Sequence, residues 1–213
     1  SGMSRGLGDV YKRQREDFIG NVSHELRTPI SVIKANSETL LSTKLIKDEN
    51  AINFTKAIQS QSERMATIVN ELLSISSMES GDYPISLDKL NIKNIVDSAI
   101  KELNPMTESS NIKLVNKISD ITHIIGDESA IKIIISNYIT NAIKHSPDDE
   151  IIEIDNEKID KDFCRIKVID NGIGIAKKYR ERVFERFFRV DKGRSKKIGG
   201  TGLGLSISKN LAL

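Results

Sequence analysis

The 213-residue chain has no tryptophan, one cysteine and four prolines, and aromatic residues make up only 5% of it. A single thiol, Cys164, cannot close an internal disulfide, which excludes a small bridge-held secreted scaffold. Cys164 sits among alternating apolar residues and reads as an inert structural thiol in a reducing compartment. No apolar run approaches the roughly 20 residues of a membrane-spanning helix, and the N-terminus carries no signal-peptide pattern. An excess of one charge is lacking too: 32 basic and 30 acidic residues leave a net charge of +2. The basic residues are scattered, so composition makes no case for nucleic acid or an anionic membrane as partner. With 38% hydrophobic and 29% charged residues, what remains is an ordinary soluble chain of one or two domains.

The opening SGMSRGLGDVYKRQ has no apolar period. Its end, DVYKRQ (Asp9 to Gln14), matches the translation of a transposon-end sequencing adapter, so residues 1–14 are expected to be a non-native leader. From Asp17 the order is clear. Ile19, Leu26, Ile33 and Leu40 recur every seven residues with Val22 between them, a seam that predicts a long packed helix. Ile58, Met65 and Leu72 repeat the spacing, Phe54, Ile68 and Ile75 fill the alternate position, and Gln61 interrupts. STKLIKDEN between the runs is the short connection of an antiparallel helix pair. Two helices bury only a ribbon, so a second copy completing a four-helix bundle is the economical solution. These residues, 15–80, form the first expected domain.

Gly81 can cap the second helix and Pro84 stops its continuation. Over 84–213 the pattern changes. Helices are expected near Ile92 to Leu103 and Glu128 to His145, and strands at IKLVNKI, EIIEI and CRIKVI, where apolar residues alternate. The mixture predicts an α/β sandwich, one sheet face covered by helices.

Within the first helix, FIGNVSHELRTP (Phe18 to Pro29) sets His24 off the apolar stripe. The bland alternative is an inert surface histidine. Neutral imidazole, the majority form near pH 7, has a free ring-nitrogen lone pair and can act as a nucleophile. Glu25 can accept the other ring N–H. Thr28, four residues on, projects from nearly the same face and can orient a water. Pro29 removes one N–H and crowds the Glu25 carbonyl, which predicts a bend beside the histidine.

A second constellation lies in NYITNAIKHS. Asn137, Asn141 and Lys144 share one helix face with His145 at its edge, and Ile131, Ile135, Tyr138, Ile139 and Ala142 form the apolar face. A solvated polar face is the alternative. Two amides and an ammonium also suit Mg²⁺ and phosphate oxygens, with Asn137 and Asn141 as candidate metal ligands. In VIDNGIGI a strand ends at Asp170 and turns through Gly172 and Gly174. By itself Asp-Asn-Gly is a common hairpin turn, but an Asp there can accept an adenine amino group. GGTGLGLSI places Gly199, Gly200, Thr201, Gly202, Leu203 and Gly204 ahead of a helix, where backbone N–H groups can meet phosphates. It is neither a Walker A motif nor a dinucleotide fingerprint. Arg189, after the Phe184, Phe187 and Phe188 cluster, can reach a terminal phosphate.

Together these motifs resemble those of the bacterial sensor histidine kinases of two-component systems, from about Phe18 to the C-terminus. FIGNVSHELRTP resembles the family's H-box, NYITNAIKHS its N-box, DNGIG and GGTGLGL its glycine boxes, and FERFFR its F-box. The resemblance implies a dimerisation and phosphoacceptor hairpin followed by a catalytic domain of the GHKL ATP-binding (Bergerat) fold shared with gyrase, Hsp90 and MutL. It implies ATP and Mg²⁺ as cofactors, autophosphorylation of His24, and transfer to an aspartate on the receiver domain of a response regulator. Dephosphorylation of that regulator, supported by Glu25 and Thr28, is implied as well. So is a cytoplasmic location, with any anchor to an inner membrane in segments absent from this chain. His145 departs from the family, which often has an aromatic residue there. The family also continues past SISKNLAL, so the domain at 84–213 is expected to be incomplete at its C-terminus. A hydrolase of the same fold, a non-catalytic dimeric scaffold and an isolated nucleotide-binding module are the rivals. Related hydrolases carry a glutamate where this chain has Asn137.

Overall fold

A computed structural model describes residues 22, 25–40, 49–80, 83–119, 122–160, 163–190 and 200–213. The leader at 1–14, His24, most of the STKLIKDEN connection, Gly81 and Gly199 lie outside the described residues. The chain divides into two compact units, Ser1–Ser76 and Ser77–Leu213.

The first unit is helical. Helix α1 covers residues 25–40 and continues through Pro29, whose side chain is buried. Pro29 removes one N–H but does not end the helix, which runs on to residue 40. Helix α2, Glu49–Ser80, has 32 residues. Its heptad positions Ile68 and Ile75 are fully buried, while its exposed residues mix polar side chains with Ile52, Val69 and Leu73. Arg64 on α2 and Glu25 on α1 form an ion pair with Nη2 and Oε2 3.1 Å apart, joining the two helices.

The second unit is an α/β sandwich. Strand β1 (Asp88–Asn91) leads into helix α3 (Ile92–Leu103), then come β2 (Lys113–Asn116), β3 (His123–Gly126), helix α4 (Glu128–His145), β4 (Ile151–Lys158), β5 (Cys164–Ile169) and helix α5 (Gly204–Leu211). Strands β1 and β3 pair antiparallel, Asn91 opposite His123. In a separate sheet β4 is central, parallel to β2 and antiparallel to β5, with Ile154 opposite Asn116 on one side and Val168 on the other. Strand alternation points Ile152 and Ile154 of β4 into the core. They meet Ile92, Ile95, Val96 and Ala99 of α3 and Ile135, Ile139, Ala142 and Ile143 of α4, one face of each helix at helical spacing.

Both covering helices begin with a side-chain cap. Asn91 accepts from the N–H groups of Lys93 and Asn94 at the start of α3, and Asp127 accepts from Ala130 at the start of α4; each satisfies donors that the first turn leaves without helical partners. Asp127 also accepts from the Ser86 N–H at 2.8 Å, fastening the segment ahead of β1 to α4. These bonds, first that from the Ser129 hydroxyl and next that from Ser86, lower its pKa to about 2.

The helices Ile92–Leu103 and Glu128–His145 and the strand Cys164–Ile169 lie where the periodicity sets them. One residue departs: Tyr138, expected on the apolar face of α4, is 39% exposed, and the buried stripe runs through Ile135, Ile139 and Ala142. A phenol can keep its hydroxyl in water at the edge of a stripe, whereas those aliphatic side chains gain only from burial.

Candidate functional site

In the second unit, α4 is the element on which the separate motifs meet. Its C-terminal residue His145 offers its backbone carbonyl to the Ile173 N–H at 3.4 Å. The Gly172 N–H donates to Asp170 Oδ1 at 2.8 Å, closing the turn after β5. A Cβ on Gly172 would lie 2.7 Å from both that oxygen and the His145 carbonyl, so only glycine lets this turn sit against α4. Gly174 differs: its φ is +68° and nothing lies within 4 Å of a Cβ there, so it is needed for backbone conformation alone. Asp170 is exposed, and its Oδ2 has no hydrogen-bond partner among the described residues.

Immediately before His145 on α4, Lys144 brings its ammonium 4.0 Å from the position a Cβ would take on Gly200. This joins the helix to the last glycine box. Further back, the Asn137 amide donates to the Gly204 carbonyl at 2.9 Å and to Ser208 Oγ at 3.1 Å. A Cβ on Gly204 would lie 3.1 Å from Asn137 Oδ1. Asn137 therefore spends its N–H groups fastening α5 to α4 and has only its oxygen to offer a metal. Asn141, between Asn137 and Lys144 on the same face, is half-buried and has no side-chain hydrogen bond among the described residues.

The loop before α5 is shaped by two close approaches. Gly202 has φ +76°, and a Cβ there would meet the Phe187 backbone at 3.0 Å. The Phe187 N–H donates to the Gly202 carbonyl at 2.9 Å, and Phe187 itself holds φ +59°, a costly conformation for a bulky residue. The Thr201 hydroxyl accepts from the Leu203 N–H at 3.2 Å, and the Leu203 side chain is fully buried. Thr201 and Leu203 thus shape and anchor the loop. Within the phenylalanine cluster, Phe188 makes a ring contact, at 5.8 Å from Tyr179, with the Arg182 guanidinium 4.4 Å above it. Arg189 is half-buried and engaged in a contact of its own.

Half-enclosure of the His145 imidazole is the first cause lowering its pKa below 6.5, with the Lys144 charge adding and Asp170 opposing. Near pH 7 the ring is neutral, so Lys144 is the cationic side chain of this pair.

In the first unit, Glu25 carries the ion pair with Arg64, and Thr28 is exposed on α1. Three contributors escape sequence reasoning: Ser208, Phe187 as the partner of Gly202, and Arg64. Only Ser208 leaves a signal, standing one turn after Gly204 on the face where a small polar residue suits a facing amide.

Among the described residues no helix is long and apolar enough to cross a membrane, and no three His, Cys, Asp or Glu side chains cluster as a metal site.

Two family models match the chain in order. Residues 14–81 match the His Kinase A (phospho-acceptor) domain, and residues 126–213 match the histidine kinase-, DNA gyrase B-, and HSP90-like ATPase. Among curated proteins, the sensor-like histidine kinase SenX3 of Mycolicibacterium smegmatis is 37% identical over 93% of this chain and 51% of its own length. The sensor histidine kinase WalK of Bacillus subtilis is 36% identical over 93% of this chain and 33% of its own. This chain thus spans about half or less of these relatives. Among solved structures, the Acinetobacter baumannii histidine kinase AdeS shares the fold with a TM-score of 0.71 and 22% identity, over 88% of this chain and 85% of that one. Full-length ShkA aligns with a TM-score of 0.66 and 25% identity, over 92% of this chain and 40% of that one. A phospho-acceptor helical region followed by an ATPase-type α/β unit, matched by relatives of this identity across nearly its whole length, places the chain in the family of sensor histidine kinases.

Proposed function

We propose that this chain is a protein histidine kinase core, transferring the γ-phosphoryl group of ATP to His24 and from there to an aspartate of a response regulator. Residues 15–80 are the dimerisation and phosphoacceptor part and residues 84–213 the ATP-binding part. The observation that carries the reading is the convergence on α4 of the Asp170–Gly172 turn, the Lys144 ammonium beside Gly200, and Asn137 bonded to the start of α5. Around α4 the turn after β5 thus offers an acceptor for an adenine amino group, and Lys144 with the loop at 200–204 offers a cation and backbone N–H groups for phosphates. The similar protein ShkA was solved in complex with AMPPNP.

In the chemical step the free ring nitrogen of His24 forms a bond to the γ-phosphorus. The bond from that phosphorus to the bridging oxygen breaks, and its electron pair leaves on ADP. The proton on the other ring nitrogen passes to the Glu25 carboxylate. Lys144 neutralises charge on the phosphates, the Asp170 Oδ2 accepts the adenine amino proton, and the N–H groups of the loop at 200–204 stand near the phosphates. Asn141 and Asn137 each have one amide oxygen that suits Mg²⁺, and the Asn137 oxygen is held in place because its N–H groups are bonded to α5. Bound there, the ion would offset negative charge on the phosphate oxygens. In transfer onward the regulator carboxylate oxygen bonds to the phosphorus, the N–P bond breaks with its electron pair returning to the ring, and the proton held on Glu25 goes back to His24, leaving an acyl phosphate and neutral imidazole. Thr28, exposed on α1 and four residues after His24 in the sequence, orients the water that later hydrolyses that acyl phosphate. ATP and the regulator are both met on the cytoplasmic side.

A second copy of this chain completes the helical part: Ile52, Val69 and Leu73 of α2 are 57%, 42% and 63% exposed, apolar surface that a facing hairpin would cover.

Incubation of the chain with γ-labelled ATP and Mg²⁺ tests the reading. The label should be acid-labile, alkali-stable and absent from His24→Gln. Release of inorganic phosphate without labelling of the protein would instead favour a simple hydrolase.

A further inference from the structure

We infer that Arg64 is a positioning residue for the phosphorylation of His24, holding the Glu25 carboxylate in the orientation in which it takes the ring proton. This rests on the reading of His24 as the phosphoacceptor. Glu25 is the next residue in the chain, and its side chain has three rotatable bonds. Left alone, it would spread over several rotamers and lose rotamer freedom each time it met a ring N–H. Arg64 removes that freedom from the opposite helix: its Nη2 lies 3.1 Å from Glu25 Oε2. Side-chain exposures of 26% and 22% put the pair between the helices rather than in open solvent, where it is screened less than a surface pair.

The geometry is selective about which oxygen it uses. Oε2 accepts from Arg64, and Oε1 has no partner among the described residues. One oxygen is fixed, and the other remains for a donor. A guanidinium suits this task because its donors are held in a rigid planar fork, so one N–H can be directed at Oε2, whereas an ammonium acts only as a point charge. Arg64 also sits on the apolar side of a heptad helix, between Gln61 and Ile68. A plain packing staple would be served as well by an uncharged stem of the same length, and this is what the test separates.

Three variants and two phosphoryl donors decide it. Arg64→Met keeps the stem without the charge, Arg64→Gln keeps a donor without the charge, and Arg64→Lys keeps the charge without the plane. Each is checked for helix content and thermal midpoint. Phosphorylation of His24 is then measured with ATP and, separately, with phosphoramidate, a small donor that needs no nucleotide pocket, with His24→Gln as the blank. Met and Gln are expected to lower kcat with ATP by about tenfold or more, to leave KM for ATP unchanged, and to slow phosphoramidate labelling in parallel. Lys should recover part of the loss. A Met variant as fast as the wild type, or phosphoramidate labelling of His24 indifferent to residue 64, overturns the inference. Dependence on residue 64 with phosphoramidate, in a chain that ATP does not label, supports Arg64 and overturns the kinase reading instead.

Discussion

Asp170 shows how much one side chain is asked to do. Its Oδ1 holds the turn through the Gly172 N–H, and its Oδ2 is open for a ligand. Asp170→Asn keeps an oxygen for Gly172, so the turn should survive, but an amide lacks a second acceptor for an adenine amino group. Loss of a charge-assisted bond costs about 1.5–3 kcal/mol, or roughly ten- to a hundredfold in nucleotide affinity. Calorimetric titration of the folded variant checks this, and unchanged affinity removes Asp170 from the site. Thr28 carries a second expectation at this scale. It is exposed on α1, so Thr28→Ala should leave folding intact and slightly improve helix propensity. Phosphorylation of His24 should persist while dephosphorylation of the regulator is largely lost. Parallel loss of both rates, or no change in dephosphorylation, would deprive Thr28 of a separate role.

At the scale of elements, the long periodic helices and the strands within IKLVNKI, EIIEI and CRIKVI were legible, and β1 and β3 were not. Helix α3 buries Ile92, Ile95, Val96 and Ala99 at helical spacing, a pattern visible in any order of reading. Strands β1 and β3 have four residues each, and β3 alternates over a run too short to distinguish from chance, with Ile125 70% exposed. Motif residues were legible because glycines and amides in fixed spacing leave few other uses. Arg64 and Phe187 were not, since each acquires its role from a partner far away in the sequence. The glycines can now be told apart by what surrounds them. Gly174→Ala meets only the left-handed backbone penalty, about 1–2 kcal/mol, whereas Gly202→Ala adds a clash with the Phe187 backbone at 3.0 Å. Gly202→Ala should therefore lower the thermal midpoint more, and an equal drop in both variants would contradict the close approach. The N-cap of α4 carries a pH dependence. The folded pKa of Asp127 is about 2, below the usual value near 3.9, so its stabilising contribution is complete above about pH 3.9 and is lost as pH falls toward 2. Unfolding midpoints measured from pH 5 to 2 should fall less steeply in Asp127→Asn, which keeps a capping oxygen without a titrating group. Identical slopes would mean that the cap does not feel the proton.

For the whole molecule, the central claim is that a helical unit carrying a nucleophilic histidine and an α/β unit built around α4 serve one reaction. The chain has three histidines. His24 precedes Glu25 in the sequence, four residues before Thr28, whereas His123 is on strand β3 and His145 ends α4 next to Lys144 with its pKa lowered. Either of the last two, phosphorylated, would imply a different chemistry. The most direct measurement is residue-level mapping of the phosphoryl group by electron-transfer fragmentation mass spectrometry under alkaline conditions, after brief incubation of the chain with ATP and Mg²⁺. Phosphate is expected on the imidazole of His24 and on neither other histidine. Phosphate on His123, on His145 or on a hydroxyl side chain would contradict it.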